Sequence, residues 1–75
     1  MKHSKPLRVT ATWDPEACVF TSQSNIPGLV VEAENFDELV SLVEALAPDV
    51  IAANMPDETR PYRVHVEMRR DLAVV

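Results

Sequence analysis

Residues 26–51, IPGLVVEAENFDELVSLVEALAPDVI, are the only stretch of this chain with sustained helical periodicity. Phe36, Leu39, Val40, Val43, Leu46, Ala47, Val50 and Ile51 recur at three- and four-residue spacing, which gathers them on one stripe of an α-helix. Asp37, Glu38, Ser41, Glu44 and Asp49 fall on the opposite side, facing water. Asn35 stands where an N-cap belongs and Glu38 follows three residues later, so these side chains can satisfy backbone N–H groups left open by the first turn. Asp37 and Glu38 also suit the positive end of the helix dipole. Pro48 removes one donor and crowds the preceding turn, so the helix either kinks there or ends near Leu46 and restarts as a short second piece through Val50 to Asn54, with one kinked helix the favoured reading. Within the stripe, Val43 and Leu46 are expected to carry much of the stability.

Outward from the helix, the flanks alternate. Arg8 to Trp13 places Val9, Ala11 and Trp13 on one side and Arg8, Thr10 and Thr12 on the other, the pattern of a half-buried strand. Asp14-Pro15-Glu16-Ala17 supplies turn chemistry, so Cys18 to Gln23 is expected to return antiparallel with Phe20 inward. Ile26-Pro27-Gly28 breaks that strand, and Gly28, the only glycine, can take positive φ on the way into a third strand over Leu29 to Glu34. Beyond the helix, Pro61 to Met68 alternates again, with Tyr62, Val64, Val66 and Met68 on one face and Arg63, His65 and Glu67 on the other. The order is β-β-β-α-β, a single α+β domain over residues 1–75 with the helix laid on one face of a four-stranded sheet.

Composition bounds the function. With 75 residues the core is small, and 47% hydrophobic residues with one cysteine leave no disulfide framework to compensate, so a homo-oligomer is expected. The far face of the sheet, with Thr10, Thr12, Thr21, Val30 and Val19, is only weakly polar, which favours the same expectation. No run approaches the ~20 apolar residues that span a bilayer, and MKHSKPLRV lacks the apolar core of a signal peptide. No membrane association and a cytoplasmic location are expected. The net charge is −5, and the distribution is more telling than the sum. Between Arg8 and Arg60 there is no lysine or arginine, whereas Asp14, Glu16, Glu32, Glu34, Asp37, Glu38, Glu44, Asp49, Asp57 and Glu58 all lie there. Such an acidic body repels nucleic acid at long range and attracts a basic protein.

The motifs of common chemistries are missing. One glycine allows neither GxGxxG nor a phosphate-binding P-loop. His3, Cys18 and His65 lack metal-ligand spacing, so no metal or cofactor is expected. Ser22, Ser24 and Ser41 have no nucleophile elbow, and no hydrolytic triad is suggested. Glu32, Glu34, Asp37 and Glu38 could in principle form an acid-base pair, but helix capping explains the last two and strand alternation the first two. Catalytic residues are therefore not assigned. Trp13 and Phe20 beside Asp14 and Glu16 make a poor stacking platform for nucleic acid, which needs positive charge nearby.

The segment TWDPEACVFTSQSNIPGLVVEAENFDELV resembles the N-terminal domain of HicB-type antitoxins and the short bacterial proteins grouped with them. The likeness lies in the acidic turn with Asp14 and Glu16, the Ile26-Pro27-Gly28 step, the Glu32-Ala33-Glu34 end of the third strand and the acidic-capped helix. It implies a partial ribonuclease-H-like fold with strand order 3-2-1-4 and the fourth strand parallel to the first. That order would bring Arg8 near Arg60 or Arg63. It also implies no nuclease activity, because Thr10 and Thr12 stand where metal-binding carboxylates would be required. HicB antitoxins usually continue into a DNA-binding helix-turn-helix or ribbon-helix-helix domain, which these residues do not include, so direct nucleic-acid binding is not expected. The partner implied is a small basic HicA-like RNA-cleaving toxin, with Asp14, Glu16, Glu32, Glu34 and Glu44 as candidate partner-binding residues. The other reading is a stand-alone homo-oligomeric domain with a structural or small-ligand-binding role.

Overall fold

In the computed structural model, which describes residues 6–75, the elements are β1 (Leu7–Asp14), β2 (Val19–Ser24), β3 (Glu32–Ala33), α1 (Phe36–Asn54) and β4 (Val64–Arg69). They form one mixed sheet in the order β3-β2-β1-β4, with β1 antiparallel to β2 and parallel to β4, and β3 antiparallel to β2. This is the α+β topology expected from the alternation and from the family resemblance. No helix among the described residues is long and apolar enough to cross a membrane.

Period-two alternation sets the two faces of the sheet. On one face Leu7, Val9 and Ala11 of β1, Phe20 of β2 and Ala33 of β3 are buried, Val9 and Ala11 completely. On the other, cross-strand pairing aligns Arg8 with His65, Thr10 with Glu67 and Gln23, and Thr12 with Arg69 and Thr21. Arg8 therefore stands directly opposite His65, with Arg63 two residues before His65 on the chain. The Thr12 hydroxyl is buried there without a hydrogen-bond partner.

The hairpin closes as Asp14 and its neighbours dictate. The Asp14 carboxylate accepts the backbone N–H groups of Glu16 at 3.0 Å and Ala17 at 3.3 Å, and its carbonyl accepts Cys18 N–H at 2.8 Å. Cys18 then takes φ 58° to aim the chain back into β2. Phe20 points inward, as expected, and meets Trp13 edge-on at 4.9 Å between ring centroids.

Ile26-Pro27-Gly28-Leu29 is a tight turn. Leu29 N–H donates to the Ile26 carbonyl at 3.1 Å, Pro27 holds the second position and Gly28 takes φ 86°, the requirement of a type II turn at its third position. The turn plants Ile26 and Leu29 in the core at its two ends, and the Asn54 side chain anchors it by donating to the Pro27 carbonyl at 2.9 Å.

The third strand is shorter than the expected span of Leu29 to Glu34. Alternation survives, with Leu29, Val31 and Ala33 buried, but the ladder is regular only at Glu32–Ala33. The Ser22 hydroxyl accounts for the difference. Ser22 N–H still donates to the Val31 carbonyl at 3.0 Å, but Ser22 Oγ takes the Val31 N–H at 2.8 Å, the donor that the return bond of a longer ladder would use. Val30, on the outer side with Glu32, projects into solvent, 83% exposed.

The helix begins as its cap predicts, with Asn35 Oδ1 accepting Glu38 N–H at 2.8 Å and Asn35 Nδ2 donating to the Glu38 carboxylate at 3.2 Å. It passes through Pro48 as a single element. Its buried line is Leu39, Val43, Ala47 and Ile51, one residue every four. Leu46 departs from the expected stripe, being 45% exposed. It sits about 60° around the axis from Val43 at 3.6 residues per turn, on a flank of a stripe narrower than the sequence suggested.

Candidate functional site

The five acidic candidates occupy three separate places. Asp14 is half-buried and its carboxylate is engaged in closing the hairpin, while Glu16 is exposed at the tip of that turn. Glu32 lies on β3 opposite Thr21, on the face away from the core, and Glu34 is exposed just beyond it. Glu44 is exposed on α1, beside β4. Because β3 and β4 are opposite edges of the sheet, Glu32 and Glu44 stand at opposite sides of the molecule. The structure therefore presents a spread of negative charge and no convergent carboxylate pair. Among the described residues, no group of three or more His, Cys, Asp or Glu side chains is placed to hold a metal ion.

Arg60 stacks over the Tyr62 ring at 5.4 Å, and Arg70 over Trp13 at 4.7 Å, so two guanidinium planes cover aromatic faces at the ends of the sheet. Lys2, His3 and Lys5 lie outside the described residues. Among the described residues, none of Glu16, Glu32, Glu34 and Glu44 forms an ion pair, whereas His65 Nε2 stands 3.7 Å from a Glu67 carboxylate oxygen.

A concavity that sequence reasoning did not identify runs between α1 and β4. Val40, Glu44 and Pro48 form its helix side, Tyr62, Val64 and Val66 its strand side, and Arg60 one end; its volume is about 670 Å³. Pro48 has no N–H to give the Glu44 carbonyl, so the one backbone acceptor that the proline deprives is that of a residue lining this opening. Tyr62, Val64 and Val66 are only half-buried against the core, and Met68, next along the same face, is 54% exposed. The available signal was the run of alternate apolar residues from Tyr62 to Met68, too long for one helix to cover together with three other strands.

Comparison with known proteins places these features in a family. Among curated proteins, none matches the chain. A solved structure that is similar is that of the hypothetical protein TTHA1013 from the extremely thermophilic bacterium Thermus thermophilus. It is 31% identical, with a TM-score of 0.79, over 93% of this chain and 100% of that one. The model of a domain of unknown function, DUF1902, matches residues 6–74, spanning every strand and the helix described above. The chain thus belongs to the DUF1902 family.

Proposed function

We propose that this chain is a non-catalytic protein-binding module, a HicB-like antitoxin or an orphan relative, which masks a small basic HicA-like RNA-cleaving protein in the cytoplasm. The observation that supports the reading is the exposure of Glu16, Glu32, Glu34 and Glu44 within an acidic stretch of the chain. From Arg8 to Arg60 the sequence holds ten acidic residues and no lysine or arginine, and Glu16, Glu32, Glu34 and Glu44 all stand exposed. The strand order 3-2-1-4 with a parallel β1–β4 pair agrees with the partial ribonuclease-H-like arrangement that the resemblance to HicB proteins implies.

Because these carboxylates lie on the hairpin tip, the β3 edge and the helix flank, their role is attraction over a distance more than recognition at one pocket. Electrostatic steering of this kind acts on the association rate and weakens once salt screens charges beyond ~8 Å. The test is stopped-flow association of the purified chain with a small basic ribonuclease encoded beside it, at low and high ionic strength. Replacing Glu32, Glu34 and Glu44 together by lysine should slow association roughly tenfold or more at low salt and little at high salt, while circular dichroism stays unchanged. A folded triple variant that associates at the wild-type rate removes the acidic surface from the mechanism. Failure of the wild type to bind any such protein removes the antitoxin reading itself.

A further inference from the structure

The two edges of the sheet are unlike. β3 ends it with two residues in the ladder, too short to template another strand, whereas β4 presents six residues bonded only to β1 among the described elements. An edge of that length with an apolar face invites pairing unless its charges oppose it. On β4 and on Arg63 just before it the charges are ordered so that one pairing neutralises them, and the geometry points to a second copy of this chain as the occupant, joined edge to edge through antiparallel β4 strands about a two-fold axis.

The register follows from two constraints. In an antiparallel pair, facing residues share a side of the sheet, so apolar residues at even positions must face even positions, which excludes every register of odd residue sum. Among the remaining registers, centring the axis on His65 sets Arg63 against Glu67 of the second copy, twice by symmetry, with Val64 against Val66 and Tyr62 against Met68. Centring it on Val66 would instead set Arg63 against Arg69, also twice, and would set His65 against Glu67, a pair already in loose contact within each chain. Like charges directly opposite are destabilising and opposite charges stabilising, so the first register is selected. Arg63, His65 and Glu67 are all exposed, and among the described residues no side-chain contact engages them beyond the loose approach of His65 to Glu67 at 3.7 Å.

The same arrangement accounts for the groove. A two-fold axis normal to the sheet keeps both helices on one face, so the concavities beside β4 become one channel floored by Tyr62, Val64, Val66 and Met68 of both copies. Met68, 54% exposed, and the half-buried Val64 and Val66 would lose water there. Such an isologous contact is closed and stops at a dimer with a continuous eight-stranded sheet. The inference does not depend on the toxin-binding reading, since it concerns the isolated chain.

Sedimentation equilibrium of the purified chain across the micromolar to millimolar range tests it. The wild type should show a concentration-dependent dimer. Arg63→Glu and Glu67→Arg should each raise the dissociation constant roughly tenfold, by turning two attractive cross-strand pairs repulsive, and the double variant should restore it. Amide exchange supplies a readout that needs no variant: β4 amides should gain protection as concentration rises. A wild type that stays monomeric overturns the inference. So does a dimer that is indifferent to the single changes, one not rescued by the double change, or one in which β4 exchange does not respond to concentration.

Discussion

Replacing Gly28 by alanine probes the turn on which the entry to β3 and the end of α1 both depend. Gly28 has φ 86°, and a Cβ built there would lie 2.8 Å from Asn54 Nδ2 and 3.6 Å from Val50 Cγ1. The second distance is ordinary contact; the first is not, and the atom in the way is the donor that holds the Pro27 carbonyl at 2.9 Å. Two costs follow. An L-residue at positive φ loses about 1–2 kcal/mol, and pushing the Asn54 amide aside forfeits a hydrogen bond with a net contribution of about 0.5–1.5 kcal/mol. Gly28→Ala should therefore destabilise by roughly 2–3 kcal/mol. For a domain this small that lowers the melting temperature by about 4–8 °C per kcal/mol, yet leaves it folded, since total stability is on the order of 4–11 kcal/mol. A double-mutant cycle isolates the clash. In an Asn54→Ala background the hydrogen bond is already absent and the obstacle gone, so Gly28→Ala should cost only its backbone share, and the two changes should couple by about 1 kcal/mol. Urea denaturation of the four proteins measures this. Equal costs of Gly28→Ala in both backgrounds would refute the account of the Asn54 contact, and a cost near zero would refute the turn itself.

Two further outcomes are expected. Leu39→Ala, at a completely buried site on the line of the helix, should cost ~2–5 kcal/mol, whereas Leu46→Ala, 45% exposed, should cost less than about 1.5 kcal/mol; similar denaturation midpoints for the two would contradict the placement of the stripe. Cys18→Gly should stabilise the chain by about 0.5–1 kcal/mol, because Cys18 holds φ 58° and a glycine there relieves a left-handed penalty larger than the entropy it adds to the unfolded chain; a lower melting temperature for this variant would show that the Cys18 side chain contributes more than its weak contact with the Pro15 carbonyl at 3.6 Å.

What the sequence makes legible is whatever depends on near neighbours. The Asn35–Glu38 cap, the Asp14 turn, the positive φ of Gly28 and the faces of β1 and β2 each rest on residues within four positions of one another, where propensity and alternation decide. Departures occur where a distant partner intervenes. Ser22 takes the Val31 N–H from nine residues away and so trims β3, which no window centred on Leu29 to Glu34 would reveal. Leu46 meets the helical spacing as well as Val43 does, but spacing fixes only an angle around the axis, and how wide an angle is covered depends on the partner surface. Resemblance to HicB proteins did what periodicity could not, by giving the non-local strand order 3-2-1-4 that the ladders display.

The same distinction explains why the acidic residues were legible as a composition and illegible as a site. Charge segregation along the chain is a property of sequence, but Asp14, Glu32 and Glu44 reach the hairpin tip, the β3 edge and the helix flank because the strand order separates them. The groove has the opposite character: nothing local marks it, and it follows from a mismatch of widths. Four strands at ~4.8 Å spacing set their outer axes about 14 Å apart, and one helix about 10 Å across cannot cover all of them. Some apolar strand residues must stay half-exposed. With Val9, Ala11, Phe20 and Ala33 buried, the deficit falls on the last strand to arrive, at Tyr62, Val64, Val66 and Met68. A fold with one helix over four strands thus leaves an apolar margin along one edge, and in this chain Arg63, just before that edge strand, and Glu67 on it stand in an order that a second copy can complement.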